Sequence, residues 1–187
     1  FQAIKVKKNQ RIFHNSGCAS MGYDLPASIG AFYASPKSKR ILCIAGDGSI
    51  MLNIQELQTI SGNDLPIQIF IFNNEGYHSI RQTQYNFFND NIVGCGLDSG
   101  LTFPDFKKIS DAFDFPYFKI SNHKDLKKNL SKILSTKGRF ICEVKINLEQ
   151  QFSPKTTTKM KDGKMVTSSI EDMWPFLDDK EMRENKL

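Results

Sequence analysis

The sequence predicts an α/β fold: a doubly wound, mostly parallel sheet with helices on both faces. Three observations carry this expectation. Short, near-continuous apolar runs recur along the chain, stretches of helical periodicity stand between them, and two of the runs end in polar clusters, Gly46-Asp47-Gly48 and Asn73-Asn74-Glu75. Strands buried on both faces read as unbroken apolar runs, and parallel neighbours are joined by helical crossovers. Right-handed crossovers then lay helices on both faces of the sheet. A length of 187 residues suits about one domain, with a core that needs no staples.

The elements follow in order. Pro26 to Tyr33 reads as a small-residue helix, and Ile41-Leu42-Cys43-Ile44-Ala45 as the first strand. Residues 53–62 predict a helix with Ile54, Leu57 and Ile60 on one side. Pro66 precedes a second strand, Ile67 to Phe72. A helix is expected from Pro104 to about Phe113, with proline in its first turn. Tyr117-Phe118-Lys119-Ile120, a lysine-rich helix over 125–134, and a last strand from Phe140 to Ile146 complete the set. Past residue 150 the character changes. Met160 to Met165 signals a hairpin through Asp162-Gly163. The organisation is therefore a domain over 1–150 and, over 151–187, a C-terminal extension of the same domain with a hairpin and a short helix. Phe1 stands where Met would, and the first residues read as mid-protein sequence, so the chain is expected to be part of a longer one.

Apolar residues make up 40% and charged residues 24%, which are ordinary values for a folded domain and exclude a disordered or fibrous chain. The apolar runs are too short to cross a membrane and no secretory signal opens the chain. The net charge of +5 raises nucleic acid as a partner. However, Lys124, Lys127, Lys128 and Lys132 fall at the spacing of a helix's wet face, and no aromatic residues interleave the basic ones, so neither nucleic acid nor membrane is expected. The four cysteines, Cys18, Cys43, Cys95 and Cys142, form no CxxC pair and no zinc pattern. Reduced thiols in a cytoplasmic protein are the expectation.

In a sheet of this kind ligands sit outside the carboxyl ends of the strands. Neither a P-loop nor a GxGxxG fingerprint is present. The residues offer instead a magnesium–diphosphate site. Glycines beside Asp47 let the backbone come near a phosphate, Ser49 can hydrogen-bond it, and a helix follows. Mg²⁺ takes six oxygens, commonly one or two carboxylates plus phosphate oxygens and water. Asp47 brings a carboxylate, Asn74 an amide oxygen, and Gly76 a backbone carbonyl.

Gly46-Asp47-Gly48-Ser49, with Asn73-Asn74 one helix and one strand later, resembles the signature of thiamine-diphosphate-dependent enzymes. The run Gly17-Cys18-Ala19-Ser20-Met21-Gly22-Tyr23-Asp24-Leu25-Pro26-Ala27-Ser28-Ile29-Gly30-Ala31 is similar to the acetolactate synthase group, and the likeness extends over about 12–150. The resemblance implies the C-terminal, diphosphate-binding domain of such an enzyme, with thiamine diphosphate and Mg²⁺ as cofactors and a 2-oxo acid as substrate. It implies that Asp47, Asn74 and the Gly76 carbonyl hold Mg²⁺, and that Gly46, Gly48 and Ser49 meet the diphosphate. Ser20, Tyr77 and His78 would line the cofactor, with His78 a candidate acid/base. The Ala19 carbonyl would accept from the aminopyrimidine, and Met21 would sit under the bend between the rings.

Two departures bear on substrate. Ser79 and Thr83 stand where acetolactate synthases carry Met and Trp, and Ile80 where pyruvate decarboxylases carry glutamate. A roomier, hydroxyl-lined pocket for a polar, sugar-like acceptor is the alternative expectation. Asp24 replaces a family glycine. The activating glutamate of the family lies on a pyrimidine-binding domain, which would come from the same longer chain or a partner subunit in a homodimer or homotetramer; alone, this domain is expected to be inactive. A non-catalytic cofactor-binding module is the reading from a different class.

Overall fold

The computed structural model describes residues 4–35, 40–88 and 91–185. Phe1, read above as a mid-protein start, and the last two residues of the expected extension lie outside them. Two compact units divide the chain, Phe1–Leu148 and Glu149–Leu187.

The first unit begins with α1 (Asp24–Ala34), β1 (Ile41–Gly46) and α2 (Asp47–Ile50). A 3-10 turn over Met51–Asn53 leads to α3 (Glu56–Gly62), β2 (Ile67–Asn73) and α4 (His78–Phe87). After a 3-10 turn at Leu97–Ser99 come α5 (Phe106–Ala112), β3 (Tyr117–Ile120), α6 (His123–Ser135) and β4 (Phe140–Lys145). The four strands form one parallel sheet in the order β1-β2-β4-β3. The predicted α/β class, a parallel sheet flanked by helices, is the observed one.

The sheet separates two cores. Cys43 and Ala45 of β1, Ile67, Ile69 and Ile71 of β2 and Ile141 of β4 pack with Leu25 of α1, Leu57 and Ile60 of α3, and Phe106 of α5. On the opposite face Phe70, Ile120, Phe140 and Cys142 meet Ile133 of α6. Phe140 is the hub there, edge-to-face with Phe70 at 5.6 Å and Phe118 at 5.4 Å. Such pairs add about 0.5–1.5 kcal/mol beyond burial. Asn122 caps α6 by accepting from the N–H groups of Lys124 and Asp125. Lys124, Lys127, Lys128 and Lys132 all face solvent, as the sequence spacing predicts.

Several local readings are refined or corrected. The helix after β1 begins on Asp47 itself, and the run predicted as a helix over 53–62 is broken into the 3-10 turn and α3. Pro104 lies outside its helix; Asp105 is the cap, accepting from the N–H groups of Lys107 and Lys108. Helix α4 had no periodic apolar signal and was legible only at His78. Cover on the second face stops short of β1: Leu42, Ile44 and Phe72 are 47%, 56% and 44% exposed, so β1 is buried on one side only.

The second unit holds a hairpin, β5 (Thr158–Lys161) and β6 (Lys164–Thr167), and α7 (Asp179–Glu184). Asp162 and Gly163, at φ 50° and 73°, make the two-residue turn that the Asp-Gly pair predicts. Lys159 pairs with Asp172, and its ammonium sits over the Phe176 ring.

Phe140→Ala is expected to cost about 3–5 kcal/mol by leaving a cavity at the hub. Lys128→Ala, on the wet face, should cost less than about 0.5 kcal/mol. Urea unfolding of the two variants followed by circular dichroism checks the contrast.

Candidate functional site

Strand β1 carries Asp47 to the carboxyl edge of the sheet, where its side chain is buried. Oδ1 accepts the Gly48 N–H at 2.8 Å and Oδ2 accepts the Gly76 N–H at 3.0 Å. The carboxylate therefore ties the tip of β1 to the loop after β2. Among the described residues Asp47 forms no ion pair. Burial pushes its pKa above the usual carboxylate range, opposed by the N–H groups of Gly76, Gly48 and Glu75 and by the positive Lys145. An ionised carboxylate without a cation is costly to bury. With about four lone-pair sites, the carboxylate retains acceptor capacity beyond these N–H groups.

The loop after β2 is fixed from several sides. Asn73 donates through Nδ2 to Glu143 Oε1 at 2.7 Å, and its Oδ1 accepts the Glu75 N–H at 3.0 Å. Glu143 is only 5% exposed and also accepts from the Tyr117 hydroxyl. Burial and then that hydrogen bond push the Tyr117 phenol well above its usual value. Lys145 Nζ is 2.9 Å from Glu75 Oε1. The buried Arg81 donates to the carbonyls of Asn74 at 3.4 Å, Glu75 at 3.1 Å and Cys95 at 3.4 Å. Glu75 sits at φ 57° and Gly76 at φ 150°, conformations that a non-glycine residue adopts at a cost. A Cβ at Gly76 would meet the Cys95 carbonyl oxygen at 1.9 Å. Asn74 thus projects from a loop whose backbone is held before any ligand arrives.

The segment of Ala19, Ser20 and Met21 is exposed, with Ala19 in the left-handed region at φ 51°. The Ala19 N–H donates to the Asn15 carbonyl at 2.7 Å, and the Ser20 carbonyl accepts from Asn15 Nδ2 at 3.4 Å. Its end is joined to the Asp47 segment: the Gly22 N–H donates to Ser49 Oγ at 3.0 Å and the Gly22 carbonyl accepts from Asn53 Nδ2 at 2.7 Å. The Ser49 hydroxyl in turn donates to Asp24 Oδ2 at 2.6 Å.

The two glycines beside Asp47 differ. Nothing lies within 4 Å of a Cβ built at Gly46, whereas one at Gly48 would fall 2.2 Å from the Tyr77 ring. Gly46 borders open space, whereas Gly48 makes room for Tyr77. His78 is buried at the start of α4. Ser79 and Thr83 are exposed on α4, and the Thr83 hydroxyl donates to the Ser79 carbonyl at 2.9 Å. Its proton is thereby committed to the helix backbone.

Structure thus joins Asp47 to Gly76 and the Met21 segment to Ser49 by direct hydrogen bonds. No cluster of three or more His, Cys, Asp or Glu side chains suited to a metal occurs among the described residues. A single carboxylate with amide and carbonyl oxygens fits Mg²⁺ when a diphosphate brings the remaining oxygens. A cavity of about 340 Å³ opens beside Asn73, Glu75, Lys119, Glu143 and Lys145; it is lined by none of the residues expected to meet the cofactor. Glu143 and Arg81 were not singled out from the sequence. Glu143 left a signal there, a lone charge inside an apolar strand run, whereas Arg81 left none.

The family described as thiamine pyrophosphate enzyme, C-terminal TPP binding domain, matches residues 1–144. The chain belongs to this family, so thiamine diphosphate is the cofactor of its class. Among curated relatives, it is 32% identical over 165 residues to the acetolactate synthase large subunit of Cyanidium caldarium, covering 88% of this chain and 28% of that one. It is 30% identical to the acetolactate synthase isozyme 1 large subunit of Escherichia coli K12, over 88% of this chain and 29% of that one. It is 29% identical to the chloroplastic acetolactate synthase 2 of Nicotiana tabacum, over 82% and 24% respectively. The chain spans less than a third of the length of these relatives. No helix among the described residues is long and apolar enough to cross a membrane.

Gly76→Ala is expected to dislodge the Glu75–Gly76 turn, because a backbone carbonyl cannot yield as a side chain can. Hydrogen exchange at the Gly76 and Tyr77 amides should rise at least tenfold, while Gly17→Ala, with open space around it, should leave them unchanged.

Proposed function

We propose that residues 1–150 form the diphosphate- and magnesium-binding part of an acetolactate synthase-like enzyme that makes or breaks carbon–carbon bonds on a 2-oxo acid. The observation that carries this reading is the buried Asp47 carboxylate, which reaches Gly76 of the neighbouring strand tip and forms no ion pair among the described residues. A divalent cation there would relieve the buried charge, with Asp47, Asn74 and the Gly76 carbonyl as its protein ligands. Gly46 provides the open approach for the diphosphate, beside the backbone of Gly48 and Ser49. Ala19, Ser20, Met21, Tyr77 and His78 are assigned to the rest of the cofactor. When bound, thiamine diphosphate would supply a nucleophilic carbanion at its thiazolium ring and, in the cationic ring itself, an electron sink. The chain's own residues hold and orient it: Asp47 and the fixed loop set the diphosphate end, and the Met21 segment sets the ring end.

Met21 is 45% exposed here, and a carbanion must be shielded from water. That supports a pyrimidine-binding domain, from the same longer chain or a partner subunit of a homodimer or homotetramer, as the cover and as the source of the activating glutamate. By itself this domain would not turn over. The extension over 151–187 is assigned to the same domain, beyond the stretch that the family match covers. Four unpaired cysteines support a reducing, cytoplasmic setting. Burial pushes the Cys43 thiol up to about 12 and that of Cys142 to about 11, so neither is a thiolate nucleophile at neutral pH.

A second reading on substrate rests on α4. Ser79 and Thr83 are small and solvent-facing, which supports a wider acceptor pocket than Met and Trp would leave. Because the Thr83 proton is already given to Ser79, its hydroxyl offers a polar acceptor only lone pairs.

Asp47→Ala is expected to abolish magnesium-dependent thiamine diphosphate binding, measured by calorimetry on the full protein; undiminished affinity overturns the metal assignment. The same protein given pyruvate alone should form acetolactate poorly relative to pyruvate with a hydroxylated aldehyde, by product analysis. Efficient acetolactate formation from pyruvate alone, unaffected by Thr83→Trp, refutes the polar acceptor.

A further inference from the structure

Asp24, the family departure noted in the sequence, has a structural consequence at the cofactor site. It opens α1, where Oδ1 accepts the N–H of Leu25 at 2.8 Å. Its other oxygen, Oδ2, accepts the Ser49 hydroxyl at 2.6 Å. An ionised carboxylate can only accept, so the Ser49 proton is directed to Asp24. The Ser49 oxygen is then left as an acceptor, and it takes the Gly22 N–H at 3.0 Å. Gly22 is held on its other side as well, its carbonyl accepting from Asn53. The glycine is buried at φ 80°, and a Cβ on it would meet Asn53 Nδ2 at 2.8 Å and Leu52 Cβ at 2.9 Å. Met21 is the residue immediately before this fastened point.

We propose that Asp24 is a positioning residue that turns the Ser49 hydroxyl away from the diphosphate and into a link between the diphosphate loop and the Met21 segment. Resting on the thiamine diphosphate reading above, the inference reassigns the Ser49 side chain from a ligand of the cofactor to a brace between its two ends. A glycine at position 24 would leave the hydroxyl free to donate to phosphate. With aspartate there, the hydroxyl's proton is occupied, and the register between the ring end and the diphosphate end is set within the protein. Asn at 24 keeps the size but cannot replace both acceptors. If its oxygen faces Ser49, its amide faces the Leu25 N–H; if turned over, the Ser49 proton loses its acceptor.

The test compares thiamine diphosphate with inorganic pyrophosphate, each with Mg²⁺, by calorimetry on the full protein. Pyrophosphate reports the diphosphate end alone. Asp24→Asn and Ser49→Ala should each weaken thiamine diphosphate about tenfold, the scale of one net hydrogen bond, and change pyrophosphate by less than about twofold. The double variant should be no worse than either single one, because the two residues act as one unit. Ser49→Thr, which keeps the hydroxyl, should restore the affinity. In the cofactor-free protein, exchange of the Gly22 amide should rise at least tenfold in Asp24→Asn and Ser49→Ala, a readout that needs no ligand. Equal weakening of both ligands by Ser49→Ala, with tighter pyrophosphate binding in Asp24→Asn, would mean that the hydroxyl serves the diphosphate directly and would overturn the proposal alone. A wild-type protein that binds neither ligand overturns the cofactor reading and this inference with it.

Discussion

The hydrogen bond from the Gly76 N–H to Asp47 Oδ2 is the constraint on which the site depends. Parallel neighbours β1 and β2 bring their carboxyl ends to the same edge, but register alone does not fix the loops beyond them. The buried carboxylate does so, by accepting one N–H from its own strand's end and one from the other's. Two segments far apart in sequence thereby share one anion. A buried anion whose hydrogen bonds all come from neutral N–H groups is costly, and the positive Lys145 offsets part of that cost.

Around that bond several polar groups converge on one turn. Asn73, Glu143, Tyr117, Lys145 and Arg81 all reach the Asn73–Gly76 stretch directly or through one neighbour. Arg81 lends its positive charge to three carbonyl oxygens, one of them in the opposing Cys95 loop. The strained φ at Glu75 persists because the surroundings over-determine it, and the φ of Gly76 beside it is open to glycine. Rigidity of this sort holds a donor set in place without requiring the ligand to organise it.

Much of this was legible in the sequence because it rests on local rules. Apolar runs at β1, β2 and β4 and helical spacing at α6 follow from period and burial, and Asp162-Gly163 follows from turn chemistry. Position also carried Asp47 and Asn74, since motifs at strand ends fall at one edge of a parallel sheet. The rest depended on contacts between distant residues. Nothing adjacent to Arg81 or Asp24 says that one meets the turn after β2 and the other the Ser49 hydroxyl. Alternation of exposure along β1 was hidden because Leu42 and Ile44 are as apolar as their buried neighbours Cys43 and Ala45. Pro104 misled because proline suits a helix start, while Asp105 beside it had the side chain able to cap.

The Tyr77 ring resting against Gly48 has an evolutionary consequence. A side chain of the same protein occupies the room that the second glycine of Gly46-Asp47-Gly48 leaves. Positions 48 and 77 are therefore coupled. A lineage could acquire a side chain at 48 only after the ring at 77 had shrunk or moved, whereas position 46 has no such prerequisite within the chain. Drift at 48 and 77 should come as an ordered pair, because the aromatic ring constrains position 48 whatever ligand lies nearby.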